Sequence, residues 1–262
     1  MTASAPATFL WGASVAGHQV EGGNVTSDTW FLENVEGTVF AEPSGRAANS
    51  WELWETDLDL VAALGLNAYR FSVEWARVEP AQGEIDEAAL DRYEAMVDGC
   101  RARGIAPVIT FSHFTLPHWV AMRGAWLDAE VPSLFARFCG IVTERFGDRI
   151  ELAVTFNEPN LPRLLGWILP PQVHEASRAT LEAAARAAGV DRYRSGNIMV
   201  PEDFAAMQVG MTEAHRLAKD AIRSAGGTFP VGLSIAIVDD VAAPGGEATR
   251  DRKRADIYDH WL

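Results

Sequence analysis

The stretch IELAVTFNEP, residues 150–159, reads as a β-strand stopped by its own last residue. Residues 150–156 are mostly apolar or β-branched, and Pro159 has no N–H with which to extend a ladder. A residue before proline is biased to extended backbone, so Glu158 is expected at a strand tip with Asn157 beside it. A carboxyl group placed there is a candidate general acid.

Four further strand-like runs end in polar residues in the same way, at residues 9–16, 67–74, 105–113 and 229–239. Helical patterns separate them. Residues 52–64 put Leu53, Trp54, Leu58, Val61 and Leu64 on one stripe before Gly65. Asp86 can cap a helix whose Leu90, Tyr93, Met96, Val97 and Cys100 share a face and which stops at Gly104. Pro132 suits a first helical turn leading to Gly147, residues 176–188 are rich in alanine, and further helices are expected at 201–225 and 248–262. Apolar strands alternating with helices make a parallel sheet covered by helices.

A (β/α)8 barrel is the leading architecture, because polar and aromatic residues recur at the carboxyl ends of the strands. The doubly wound alternative lacks a glycine-rich turn after its first strand, since Gly12 falls within the strand; a nucleotide-binding protein is disfavoured for the same reason. Five strands are recognisable where a barrel has eight, and the excursions at 19–66 and 160–202 account for the length used. Residues 1–262 are therefore expected to form a single, incomplete barrel domain with two open sheet edges.

Composition narrows the function. The 36 acidic residues outnumber the 22 Lys and Arg, giving a net charge of −14, which argues against nucleic-acid binding. The basic run at 250–254 is interleaved with Asp251 and followed by Asp256, and reads as a solvated helix face. No run approaches a membrane span and residues 1–8 carry no secretory pattern, so a soluble, cytoplasmic protein is expected. Cys100 and Cys139 lie on apolar helix faces, with no sign of a disulfide framework, a metal site or a cofactor. The nine tryptophans are mainly core residues, some of which can serve as sugar platforms.

Four blocks, FLWGASVAGHQVEG from Phe9, YRFSVEWARVEP from Tyr69, TFSHFTLPHW from Thr110 and TFNEP from Thr155, resemble in order and spacing the family 1 glycoside hydrolases. These are retaining β-glucosidases and β-galactosidases on a (β/α)8 barrel. The match is nearly continuous from Phe9 to about Asp148 and reaches Pro159, then thins to GWILPP, AHRLA and PVGLSIAI. The resemblance implies a β-glycoside as substrate, with Glu158 as acid/base and Asn157 as donor to the sugar 2-hydroxyl. It further implies that Gln19 and His113 hold the 3- and 4-hydroxyls, that Arg70 lies near the nucleophile, and that Trp119 is the aromatic after the LP dipeptide. Phe114-Thr115 departs from the family's usual Trp-Asp.

The family's nucleophilic glutamate, in a TENG-type segment on the seventh strand, has no counterpart in the sequence. Retaining hydrolysis uses two carboxyl groups about 5–5.5 Å apart, and the second also helps keep the acid protonated. Glu74, Asp239 and Asp240 could face the same mouth, but Glu74 is expected to pair with Arg70 or Arg77, and the two aspartates to sit in a turn before Pro244. The expectation is thus a β-glycosidase with its nucleophile outside the chain, a truncated or split enzyme whose open edges invite self-association or a complementing chain. The alternative is a non-catalytic carbohydrate-binding or scaffold protein on the same barrel. His118 and His174 are expected on the surface or in loops.

Overall fold

The computed structural model describes residues 9–261. Its five parallel strands form one sheet in the order β1-β2-β3-β4-β5, so each strand pairs with its predecessor in sequence. β1 (Gly12–Ser14) is followed by the short helices α1 (Gly17–Val20) and α2 (Asp28–Glu33), and α3 (Ser50–Ala63) returns the chain to β2 (Ala68–Ser72). The helices α4 (Trp75–Val78) and α5 (Glu87–Ala102) lead to β3 (Ala106–Ser112). Next come α6 (His118–Met122), α7 (Val131–Phe146) and β4 (Leu152–Asn157). Three helices, α8 (Leu161–Ile168), α9 (Pro171–Ala188) and α10 (Phe204–Ser224), precede β5 (Val231–Ser234), and α11 (Glu247–Tyr258) follows it.

A doubly wound sheet reverses its strand order at a switch point, whereas a barrel wall runs in sequence order, as here. Among the described residues β1 and β5 pair on one side only, so the sheet is an unclosed part of a (β/α)8 barrel. The wall is tight at its start: a Cβ on Gly12 would stand 2.7 Å from the Ala68 carbonyl oxygen, which only glycine tolerates.

The helical faces follow their spacing. α5 buries Leu90, Tyr93, Met96, Val97 and Cys100, as predicted. α10 buries Met207, Met211, Ala214, Ala218 and Ile222 in one core with Phe135, Phe138, Cys139 and Val142 of α7. Cys100 and Cys139 are buried free thiols. Pro171 opens α9 in its first turn, and Gly189, at φ 68°, ends it.

The edges depart from the sequence expectation. β1 and β5 are much shorter than the runs at 9–16 and 229–239, because a strand paired on one side lacks half the ladder that would extend it. Leu53 and Leu64, expected on the buried stripe of α3, are 47% and 74% exposed. Phe9 and Trp11 beside β1, and Ile237 and Val241 beyond β5, are exposed as well, so uncovered apolar surface gathers near the open edges.

The loop after α4 is fixed by a buried acid. The Glu79 carboxylate accepts from Trp75 Nε1 at 2.9 Å, from Gly83 N at 2.7 Å and from Arg137, while its carbonyl oxygen accepts from Trp119 Nε1 at 2.9 Å. Truncation strands the buried Trp75 indole N–H beside an empty space and removes the acceptor that ties Gly83 and Arg137 to it. Glu79→Ala is therefore expected to lower the unfolding free energy by about 3 kcal/mol, read as a fall in the denaturant midpoint at unchanged slope.

Candidate active site

The carboxyl ends of the first four strands, with Ser234 of β5, surround one polar cleft of about 390 Å³. Gln19, Arg70, His113, Asn157 and Glu158 all line it. Gln19 is carried by α1, which is held against the sheet by a 2.6 Å hydrogen bond from Gly17 N to Ser72 Oγ. Gly17 has to be glycine, since a Cβ there would lie 2.5 Å from Glu74 Cγ.

Arg70 donates to Asn157 Oδ1 and, at 3.3 Å, to Ser234 Oγ, and its Nε has no partner. That bond fixes the Asn157 amide by its oxygen and leaves Nδ2 as the end that can donate to a ligand. Burial holds Arg70 below the usual arginine range, and the nearby Glu158 carboxylate pulls it the other way. His113 is half-buried, with Nδ1 unpartnered. Burial and, second, the Arg70 charge lower its pKa to about 4, so near neutral pH it offers a neutral imidazole.

Glu158 corrects the sequence expectation of an extended strand tip. Its φ is 48°, in the left-handed region, and its N–H donates to Ser234 O at 2.6 Å, where the β4–β5 register shifts between Val154 and Asn157. In a regular strand Asn157 and Glu158 would point to opposite faces. The left-handed residue breaks that alternation, and both line the same cleft.

Trp119 is not brought there. Its indole N–H is used by the Glu79 carbonyl and its ring meets Trp75 edge-on at 5.7 Å. His118 is half-buried, with Nδ1 3.0 Å from the Tyr193 hydroxyl and its ring against Phe31, so it is a packing residue of the α2–α6 layer rather than a surface one. His174 is half-buried on α9.

The other acids are occupied. Glu74 is 2% exposed and accepts from Ser72 Oγ at 2.7 Å, Asn24 Nδ2 at 2.9 Å and Thr115 Oγ1 at 2.5 Å. Its partners are therefore these three and not Arg70 or Arg77; Arg77 is taken by Glu21, Nε to Oε2 at 2.8 Å. Asp240 pairs with Lys253 at 2.5 Å and Asp239 is exposed. Among the described residues, Glu158 is the one carboxylate in the cleft lining. Among them, too, no group of three His, Cys, Asp or Glu side chains is placed to hold a metal ion, and no helix is long and apolar enough to cross a membrane.

Sequence reasoning missed the residue that ties the loops together. Asp28 is fully buried and accepts from Thr29 N at 2.7 Å, Leu116 N at 2.9 Å, Ser195 Oγ at 2.7 Å and Gly196 N at 2.8 Å. Its only local signal is the Ser27 cap of α2, whose hydroxyl accepts from Trp30 N.

The chain is similar to known glycosidases. The model of "Glycosyl hydrolase family 1" matches residues 1–217. The β-glucosidase of an Agrobacterium species is 34% identical over 95% of this chain, and the bifunctional β-D-glucosidase/β-D-fucosidase of Bifidobacterium breve is 32% identical over 90% of it. The chain spans about half of each, 51% and 49%. The apo structure of β-glucosidase 1317 superposes with a TM-score of 0.92 at 40% identity, over 97% of this chain and 63% of that one.

The network beneath the cleft titrates. Glu21 is 3% exposed; burial pushes its carboxyl up to about 8 against the pull of Arg77, with Tyr93 OH 3.1 Å from Oε1. A carboxyl raised on folding gives stability that is complete below pH 4.5 and is lost as pH rises towards 8. Glu21→Gln is expected to flatten that decline between pH 4.5 and 8, measured as the urea midpoint of both proteins across the range.

Proposed function

The chain belongs to glycosyl hydrolase family 1, and from that premise we propose that it supplies the sugar-gripping cleft and the acid/base of a retaining β-glycosidase acting on terminal β-glucosides or β-galactosides. The observation that carries the reading is the convergence of Gln19, Arg70, His113, Asn157 and Glu158 on one cleft. In this reading Gln19 and His113 hydrogen-bond the 3- and 4-hydroxyls. Asn157, steadied by Arg70, donates to the 2-hydroxyl. Glu158 protonates the glycosidic oxygen as the bond breaks and then takes a proton from the attacking water.

The reaction needs a second carboxylate about 5–5.5 Å from Glu158. We assign it to polypeptide that continues the sheet beyond β5 and closes it against β1. Two buried groups without partners support this: Arg70 Nε and Thr110 Oγ1, on adjacent strands. A carboxylate near Arg70 would gain a charge-assisted hydrogen bond.

A single carboxylate in the cleft also favours a second reading, a protein that binds the sugar without cleaving it. The purified chain, supplemented with a polypeptide that carries the remaining strands and given 4-nitrophenyl β-D-glucopyranoside, separates the two. On the enzymatic reading, Glu158→Gln reduces nitrophenol release at least ~100-fold; release undiminished in that variant would sink the assignment of the acid. Binding without release, weakened about tenfold in Asn157→Ala or His113→Ala, would favour the second reading.

The open edges make a separate prediction. The chain is expected to self-associate in sedimentation as its concentration rises, and to do so less when a polypeptide carrying the remaining strands is added. A monomer with one cooperative unfolding transition at all concentrations would contradict it.

A further inference from the structure

The side chains that wall the cleft are held in two different ways. Asn157 is fixed through its own amide by Arg70, which also reaches Ser234. Gln19 and His113 have nothing comparable. Gln19 is exposed, His113 Nδ1 is without a partner, and among the described residues neither the amide nor the imidazole is hydrogen-bonded to protein. Where these two side chains stand is therefore decided by the backbone that carries them, α1 for Gln19 and the turn after β3 for His113.

Both pieces of backbone converge on Glu74, which is 2% exposed and does not line the cleft. On one side its Oε1 accepts from Ser72 Oγ at 2.7 Å, and Ser72 Oγ accepts from Gly17 N at 2.6 Å, so a relay of two bonds joins the carboxylate to the first residue of α1. The side-chain stem lies against the same residue, where a Cβ would come within 2.5 Å of Glu74 Cγ. On the other side Oε2 accepts from Thr115 Oγ1 at 2.5 Å, two residues past His113. Between them Phe114 is left-handed, at φ 69°, a conformation that persists in a residue other than glycine only where its neighbours impose it. Asp28 grips the loops farther along, at Leu116 N and Gly196 N, and makes no hydrogen bond to α1 or to residues 113–115.

We propose that Glu74 is the positioning residue for one half of the sugar site. It sets Gln19 and His113 together, and with them the discrimination of the sugar's 3- and 4-hydroxyls, without touching the sugar; this rests on the reading of the cleft as a sugar site. A carboxylate suits the task because it is an acceptor at both oxygens and can take donors from α1 and from the turn at once. The two hydroxyl contacts therefore fail together when Glu74 is lost. The contact to the 2-hydroxyl does not, because Asn157 is steadied by Arg70 and not by Glu74.

The test is an NMR titration of the full chain with methyl β-D-glucopyranoside and with its 2-deoxy, 3-deoxy and 4-deoxy analogues. In the unaltered chain each deletion is expected to weaken binding about fivefold. Glu74→Ala is expected to shrink the 3- and 4-deoxy penalties below about twofold while the 2-deoxy penalty persists. Thr115→Val removes one donor at nearly constant shape and serves should the first variant fail to fold; it is expected to lower one or both of the same penalties, and Thr115→Ser to restore them. A general loosening lowers all three penalties together. That result, or penalties unchanged in the variants, overturns the role of Glu74 and leaves the sugar cleft standing, as does an unaltered chain sensitive to the 2-deletion alone. A chain indifferent to all three deletions, or one that binds none of the sugars, overturns the sugar site and the proposal with it.

Discussion

Consecutive side chains of a β-strand point to opposite faces, and this site is built where that constraint is broken. At the end of β4 the left-handed Glu158 turns its side chain to the same cleft as Asn157. What imposes the turn comes largely from β5: Ser234 O receives the Glu158 N–H, and one residue beyond Pro159 the Asn160 amide is paired on both ends with Ala236, Nδ2 to O at 2.8 Å and N to Oδ1 at 3.0 Å. Ser234 also reaches Arg70, which in turn holds Asn157. A four-residue strand half open to solvent therefore fixes both the backbone of the acid and the side chain beside it.

A second layer of support comes from buried carboxylates that face away from the cleft. Asp28 joins the loops after β1, β3 and β4 through backbone N–H groups and one hydroxyl, and Glu74 joins the loop after α1, β2 and the Thr115 loop through neutral donors. Each carboxylate has enough acceptor sites to satisfy several strands of the network at once, which a hydroxyl or amide in the same place could not do. Burial raises the pKa of Asp28, as expected for an acid with no cation beside it. These acids hold the loops in place and leave Glu158 alone at the cleft wall.

Much of this was legible in the sequence, because it depends on period and punctuation. The five strands, the stripe of α5 and its stop at Gly104 follow from spacing and stop residues. The grouping of Gln19, Arg70, His113, Asn157 and Glu158 came instead from the family resemblance, and the five line one cleft. The failures are tertiary. Pro159 correctly ended β4, but the preference of a pre-proline residue for extended backbone yielded to the pairing with Ser234, about which the local sequence is silent. Trp119 sits in the right motif, yet its N–H is claimed by a carbonyl forty residues earlier. Asp28 looks like an ordinary first-turn acid until the loops after β3 and β4 arrive. The stripe of α3 was read as wholly buried because periodicity cannot tell a covered flank from an open one.

The sequential strand order has a consequence for assembly in time. Every ladder in the sheet joins neighbours along the chain, so each βα unit can dock on the one already formed, the long connections from β1 to β2 and from β4 to β5 included. In a ring of such units one seam is different: it joins the first strand to the last, and its closure entropy is that of the whole chain. A wall of this kind can grow during synthesis from its amino end, with the acid already turned into place by the fifth strand. Closing the ring then becomes a late, slow and concentration-sensitive event, and it is the step at which such a protein is most exposed to mispairing with its own kind.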